Sequence, residues 1–278
     1  MMNNNNNPNK LDPQQIVAEF KEIPPMPNVM VKALSVIKNP STGIAELAKI
    51  MQVDQAISTK TLSLVNSAFY GFRQQITSIN KALVVLGMMK AKNIIMSLAL
   101  KQMMTAQGSR ELWEHSIKCA VAAEILAKEY KVINPDDAFV IGFLHDIGKM
   151  LLNSKNPLKY SKVRYLAQQG NVNLIEVEDA QFGTNHCVLG ALISKKWQLP
   201  VILTNCIRYL HDPLQSSLPT VCGIVYCADR MIQSTMPNPL LDPKIMSKME
   251  FTINDPVALR ETILTKAQIF LKEMSSPN

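Results

Sequence analysis

Apolar residues recur along this chain at spacings of three and four, and runs that alternate apolar with polar residues are nearly absent. That rhythm predicts helices almost throughout and an all-α fold. Residues 29–37 read as a short helix, stopped near Asn39-Pro40. Ser41 suits the N-cap of the next, whose buried face is Ile44, Leu47, Ala48 and Met51. Asp54 is placed to cap a third helix over 57–69, ended by Gly71, and Ser78 opens a fourth that reaches Leu86-Gly87. Residues 88–104 form the fifth. Further helices are expected over 112–130, 135–144, 158–169, 176–182, 186–197, 200–209, 218–232 and 257–274.

The polar break Gln107-Gly108-Ser109 divides this series. Residues 1–13 read as a disordered polar tail, 14–106 as an N-terminal helical bundle, and 107–278 as a second helical domain with a C-terminal helix. A link this short holds the two lobes in close contact.

Composition narrows the picture. Of 278 residues, 47% are hydrophobic and 18% charged, enough apolar material for a substantial core. The formal charge of +7 is diffuse; the nearest approach to a basic patch is Lys90, Lys92 and Lys101, without interleaved aromatics. Nucleic acid therefore ranks last among partners. The five cysteines, at 119, 187, 206, 222 and 227, are odd in number, lack a CxxC pair and lie in apolar helical runs. They read as reduced, buried thiols. With no export signal at the start and no apolar run of membrane-span length, the expectation is a soluble cytoplasmic protein without a membrane partner.

The candidate chemistry gathers in the second half. His145 and Asp146 stand together behind an apolar segment, just before Gly148-Lys149, and His115, His186, His211 and Asp229 lie on other predicted helices. His115 shares a helix face with Leu112, Cys119, Ala122 and Leu126, so it points inward. Asp229 ends an apolar run, where an unpaired carboxylate is costly. Two arrangements satisfy such groups. One is a divalent metal centre of mixed nitrogen and oxygen donors, suited to Mn, Fe, Ni, Zn or Mg. The other is a buried hydrogen-bond network joining helices.

In order and type, His115, the His145-Asp146 pair and Asp229 resemble the four metal ligands of the HD superfamily of phosphohydrolases. A more extensive resemblance is to the HDOD domain (HD-related output domain). It runs through Ile23-Pro24-Pro25-Met26-Pro27, Glu46-Leu47-Ala48, the segment Leu62 to Gly71 containing Asn66-Ser67-Ala68-Phe69-Tyr70-Gly71, Ile76-Thr77-Ser78-Ile79, Leu86-Gly87, Ile207-Arg208-Tyr209 and His211-Asp212-Pro213. The resemblance implies a two-lobed helical fold, an N-terminal bundle packed on an HD-type domain. It also implies a bacterial signal-transduction or regulatory module that binds a signalling protein or a small ligand. On this reading His115, His145, Asp146 and Asp229 are metal ligands, and His186 and His211 are further ligands or phosphate contacts. Asp146 would orient an attacking water in any catalysis, with Lys149 offsetting phosphate charge. The Asn66 to Gly71 motif reads as structural, with Phe69 anchoring a turn and Tyr70 reaching the lobe interface.

One departure bears on function. The related cyclic-dinucleotide phosphodiesterases carry paired histidines followed by Gly-Tyr-Pro, whereas here Leu210 stands where one histidine is expected and no Gly-Tyr-Pro follows. The preferred expectation is regulatory binding, and the alternative is a metal-dependent phosphohydrolase acting on a nucleotide or other phosphate ester.

Overall fold

The computed structural model describes residues 11–20, 23–38, 43–106, 109–170, 172–236, 238–239 and 241–275, and among these it is all-α, with no strand. The expected Ser41 cap, the first ten residues of the expected tail and the Gln107-Gly108 break lie outside the described residues. The helices of the first half are α1 (Pro13–Glu19), α2 (Asn28–Lys38), α3 (Gly43–Val53), α4 (Gln55–Val65), α5 (Ile79–Leu86) and α6 (Met88–Ala106). The second half holds α7 (Arg110–Tyr130), α8 (Pro135–Leu144), α9 (Ile147–Lys155), α10 (Pro157–Gly170), α11 (Leu174–Phe182), α12 (His186–Lys196), α13 (Val201–Arg208), α14 (Pro219–Gln233), α15 (Pro243–Met246) and α16 (Pro256–Ser275).

Local sequence explains most starts. Asp54 accepts a hydrogen bond from the Ile57 backbone N–H and Ser78 from that of Lys81, both as expected of N-caps. The end of α4 differs from expectation, since it stops at Val65 rather than near Phe69. Asn66 is the reason. Its side-chain amide donates to the carbonyls of Leu62 and Ile76, and its Oδ1 accepts from the Ile76 N–H at 2.7 Å. One side chain thus closes the helix and ties down the loop that follows. Ser67 donates to the Leu64 carbonyl at 2.6 Å, and Gly71 turns the chain at φ +65°. Helix α9 was not anticipated; its apolar Met150, Leu151 and Leu152 follow His145, Asp146 and Lys149 in too short a run to show helical spacing. The chain changes direction at His145-Asp146 itself.

One apolar cluster runs from Ile16 to Met274 and so includes residues of both halves. Helix α7 is central, packing along α8, α14 and α16. Helix α16 returns to the N-terminal half, where the Phe270 ring meets Phe69 at 4.9 Å, while also meeting Phe139 of α8 at 5.8 Å. Ser63 donates to Glu273 at 2.7 Å, and Lys101 donates to the Met274 carbonyl at 2.9 Å.

The lysines expected to form the nearest basic patch are committed elsewhere. Lys90 pairs with Glu124 and with Asp136, Lys92 is 6% exposed, and Lys101 lies over the Trp113 ring. Among the described residues no single helix is long and apolar enough to cross a membrane.

Candidate metal centre

The break between α8 and α9 builds the centre. Leu144 ends one helix and Ile147 begins the next, so His145 and Asp146 both turn inward from a short bend. His145 Nδ1 donates to the Gly142 carbonyl at 2.6 Å, which directs Nε2 away from its own helix. Helix α7 contributes His115, and α14 contributes Asp229 from its next-to-last turn.

Four donor atoms meet there. His115 Nε2 lies 3.3 Å from His145 Nε2, 3.4 Å from Asp146 Oδ2 and 3.1 Å from Asp229 Oδ1. His145 Nε2 lies 3.2 Å from Asp146 Oδ2 and 3.4 Å from Asp229 Oδ1. Donors held about 2.1 Å from one ion are about 3.0 Å apart at right angles and about 3.4 Å apart in a tetrahedron. The five distances fall in that interval. In metal-free protein a proton fills the same place: with Nδ1–H spent on Gly142, a protonated His145 donates from Nε2 toward the Asp146 and Asp229 carboxylates, and a divalent ion would replace that proton.

The electrostatics agree. Burial alone would lower the pKa of His145, but the Asp146 and Asp229 carboxylates raise it from its ordinary value to about 10. Burial opposes ionisation of both aspartates, yet Asp146 is held well below the carboxylate range by His145 and Lys149, and Asp229 by His115 and His145. Lys149 Nζ sits 2.5 Å from Asp146 Oδ2, and despite burial that carboxylate raises the lysine pKa. Asp229 also accepts from the Gln233 amide at 2.7 Å.

His186 and His211 form an adjoining pair, with Nε2 atoms 3.0 Å apart. His186 Nε2 faces Asp146 Oδ1 at 3.6 Å. That oxygen is buried and has no hydrogen-bond partner. Asp146 therefore presents Oδ2 to the four-donor cluster and Oδ1 to the histidine pair, the disposition of a carboxylate between two cation positions. Burial and the neighbouring positive His186 lower His211 to about 4, so its nitrogen is available as a ligand at neutral pH.

Glu178, on α11, was not singled out from the sequence. Its Oε2 accepts from His186 Nδ1 at 2.6 Å and from the His186 backbone N–H at 2.9 Å, while Oε1 accepts from the Tyr160 hydroxyl at 2.9 Å. This carboxylate fixes the imidazole so that Nε2 points to the centre. A signal was present: Glu178 is four residues from both Leu174 and Phe182, on the apolar face of a short helix.

The six histidine and aspartate positions singled out from the sequence thus occupy one region, with Lys149 against Asp146. Three of the four clustered donors are sealed in: exposure is 0% at His145, 1% at Asp146 and 2% at Asp229, against 21% at His115. A cavity of about 280 Å³ is bordered by His115 and Asp146 and also by Lys149, Asn153, Tyr160, Arg164 and Gln233. A larger groove of about 700 Å³, bordered by Asn28, Lys32, Glu46 and Lys49, lies at α2 and α3 away from this chemistry.

Comparison with known proteins agrees with the architecture. The HDOD domain matches residues 23–213. A solved HDOD domain protein of unknown function from Geobacter sulfurreducens superposes with a TM-score of 0.74 at 21% identity, over 95% of this chain and 99% of that one. A protein from Marinobacter aquaeolei, provisionally designated for signal transduction, gives 0.76 at 18% identity, over 95% of this chain and 65% of that one. An uncharacterized protein of Treponema pallidum (strain Nichols) is 24% identical over 202 residues, 71% of this chain. The chain spans about two fifths (39%) of that relative's length.

Proposed function

This chain belongs to the HDOD domain family, and from that premise we propose that it is a signal-transduction module whose HD-type centre holds divalent metal and whose output is binding, of a small ligand at the cavity or of a signalling protein. The observation that carries this reading is the burial of the centre. His115 alone of the four clustered donors is appreciably exposed, and the cavity beside it is at the small end for a ligand site. That arrangement suits an ion retained for sensing or structure better than turnover of a bulky substrate such as a cyclic dinucleotide. The absence of a second histidine at Leu210, which is itself 0% exposed, points the same way.

The residues present fit divalent metal, by donor spacing and by the unpartnered Asp146 Oδ1. His115, His145, Asp146 and Asp229 would hold one ion, and Asp146, His186 and His211 a second. Bound metal supplies a Lewis acid and lowers the pKa of an attached water. Around it, His145 is oriented by Gly142, His186 by Glu178 and Tyr160, and Lys149 keeps a positive charge at the cavity wall.

A metal-dependent phosphohydrolase is the second reading, and Lys149 favours it. A lysine beside Asp146 and bordering the cavity can offset the charge of a phosphate ester there. One experiment separates the two. Untagged protein is analysed for metal, loaded with Mn, Fe, Ni, Zn or Mg, and screened against phosphomonoesters and phosphodiesters. We expect metal in the purified protein, its loss in Asp146→Ala, and no multiple turnover. Turnover that vanishes in Asp146→Ala establishes the phosphohydrolase instead.

A further inference from the structure

Cys119 stands inside the cluster. It lies one helical turn beyond His115 on α7, is fully buried, and places Sγ 3.4 Å from His115 Nε2 and 3.9 Å from Asp229 Oδ1. His115, Cys119, His145 and Asp229 each bring one donor atom within 4.8 Å of the other three. The buried-thiol reading of the sequence accounts for its burial but not for this position.

We propose that Cys119 is a thiolate ligand of the ion at this centre, which makes the site select a thiophilic metal of the zinc class over Mg or Mn. The inference rests on the metal-binding reading above and adds a donor to it. With a metal–sulfur bond of about 2.3 Å and a metal–nitrogen or metal–oxygen bond of about 2.1 Å, neighbouring donors are about 3.1 Å apart at right angles and about 3.6 Å apart in a tetrahedron. The observed 3.4 Å to His115 lies within that interval and the 3.9 Å to Asp229 lies a little beyond it. A sulfur hydrogen bond to His115, at 3.4 Å, is the competing account, with only a weak contact to Asp229 at 3.9 Å, and the metal spectrum below separates the two.

The backbone holds the thiol in place. Helices α7 and α8 approach so closely that a side chain on Gly142 would come within 2.7 Å of the Cys119 carbonyl. The same Gly142 carbonyl receives the His145 Nδ1 proton. Gly142 therefore touches both parts of the site, lying against the Cys119 backbone across the helix contact and accepting the His145 Nδ1 proton within its own segment. Coordination releases the thiol proton to solvent and needs no oxidant. Thiolate is a soft donor, and its presence shifts a nitrogen and oxygen site away from Mg and Mn toward zinc-like ions.

Cobalt(II) titrated into the metal-free full chain tests this. Wild type should develop a near-ultraviolet thiolate-to-cobalt charge-transfer band. Cys119→Ser and Cys119→Ala should still bind cobalt but lack the band, while Cys187→Ser, altering the thiol next to His186, should retain it. Competition measurements should show zinc affinity reduced at least about tenfold in Cys119→Ser and manganese affinity changed less than about twofold. Circular dichroism of each metal-free variant confirms the fold. Cobalt bound by wild type without the band, a band lost with Cys187 instead, or an unchanged zinc-to-manganese ratio in both Cys119 variants overturns the assignment while leaving the metal centre intact. No ion bound at all overturns both.

Discussion

At the scale of single residues, the centre is a balance of charges that in metal-free protein is met by protons. His145 keeps its proton up to about pH 10 because Asp146 and Asp229 outweigh its burial, and both aspartates stay ionised well below the ordinary carboxylate range. A histidine with a raised pKa stabilises the fold fully below its unfolded value of about 6.5 and loses that contribution as pH rises toward 10. An aspartate with a lowered pKa contributes above about 3.9 and loses that contribution as pH falls. His211, held down at about 4, adds a contribution that is present above about 6.5 and lost as pH falls, so metal-free protein should melt at its highest temperature near pH 6.5 and at lower temperatures on either side. A bound divalent ion replaces the His145 proton, so metal should remove most of the alkaline decline. Thermal melts from pH 4 to 10, with and without zinc, check this; a metal-free profile flat from pH 6.5 to 10 would contradict the charge balance.

At the scale of elements, the site depends on how closely helices approach. A side chain on Gly148 would put its first carbon 1.9 Å from the His186 carbonyl and 2.6 Å from the Gly190 amide, both backbone atoms. The small residue after His145-Asp146 is what lets the first turn of α12, with His186, lie against α9. Gly148→Ala should cost about 1–3 kcal/mol by overpacking and displace His186 from Asp146. Urea denaturation should show a lower midpoint, and metal analysis a lower content per chain. Gly190→Ala, which meets chiefly the movable Ile207 methyl, should cost less.

At the scale of the whole molecule, α16 is a clasp. Phe270 is 2% exposed and touches Phe69 from the Asn66 to Gly71 segment and Phe139 from α8, so it ties residues distant in sequence into one cluster. Phe270→Ala should cost about 3–5 kcal/mol. Because one apolar cluster includes residues of both halves, denaturant should still unfold the chain in one transition at a lower midpoint. Two separated transitions in wild type or variant would mean that the two halves fold independently.

Local pattern determined much of this protein. Apolar spacing of three and four is imposed by the helix itself, so the all-α class was legible residue by residue, as were the Asp54 and Ser78 caps. Residue type marked His115, His145, Asp146, His186, His211 and Asp229, since polar groups on apolar faces need partners. Tertiary structure decided the rest. Glu178 was not singled out, and Cys119 read as an ordinary core thiol, until α11 and α7 were set against α12, α8 and α14. The early end of α4 depended on Asn66 reaching Ile76, ten residues away. The bend that makes α9 a separate helix falls at the polar His145-Asp146 pair, whose residue types suit a site and a helix boundary equally. These features arise from contacts between segments distant along the chain, and hydrophobic periodicity records which face of a helix is buried, not what that face meets.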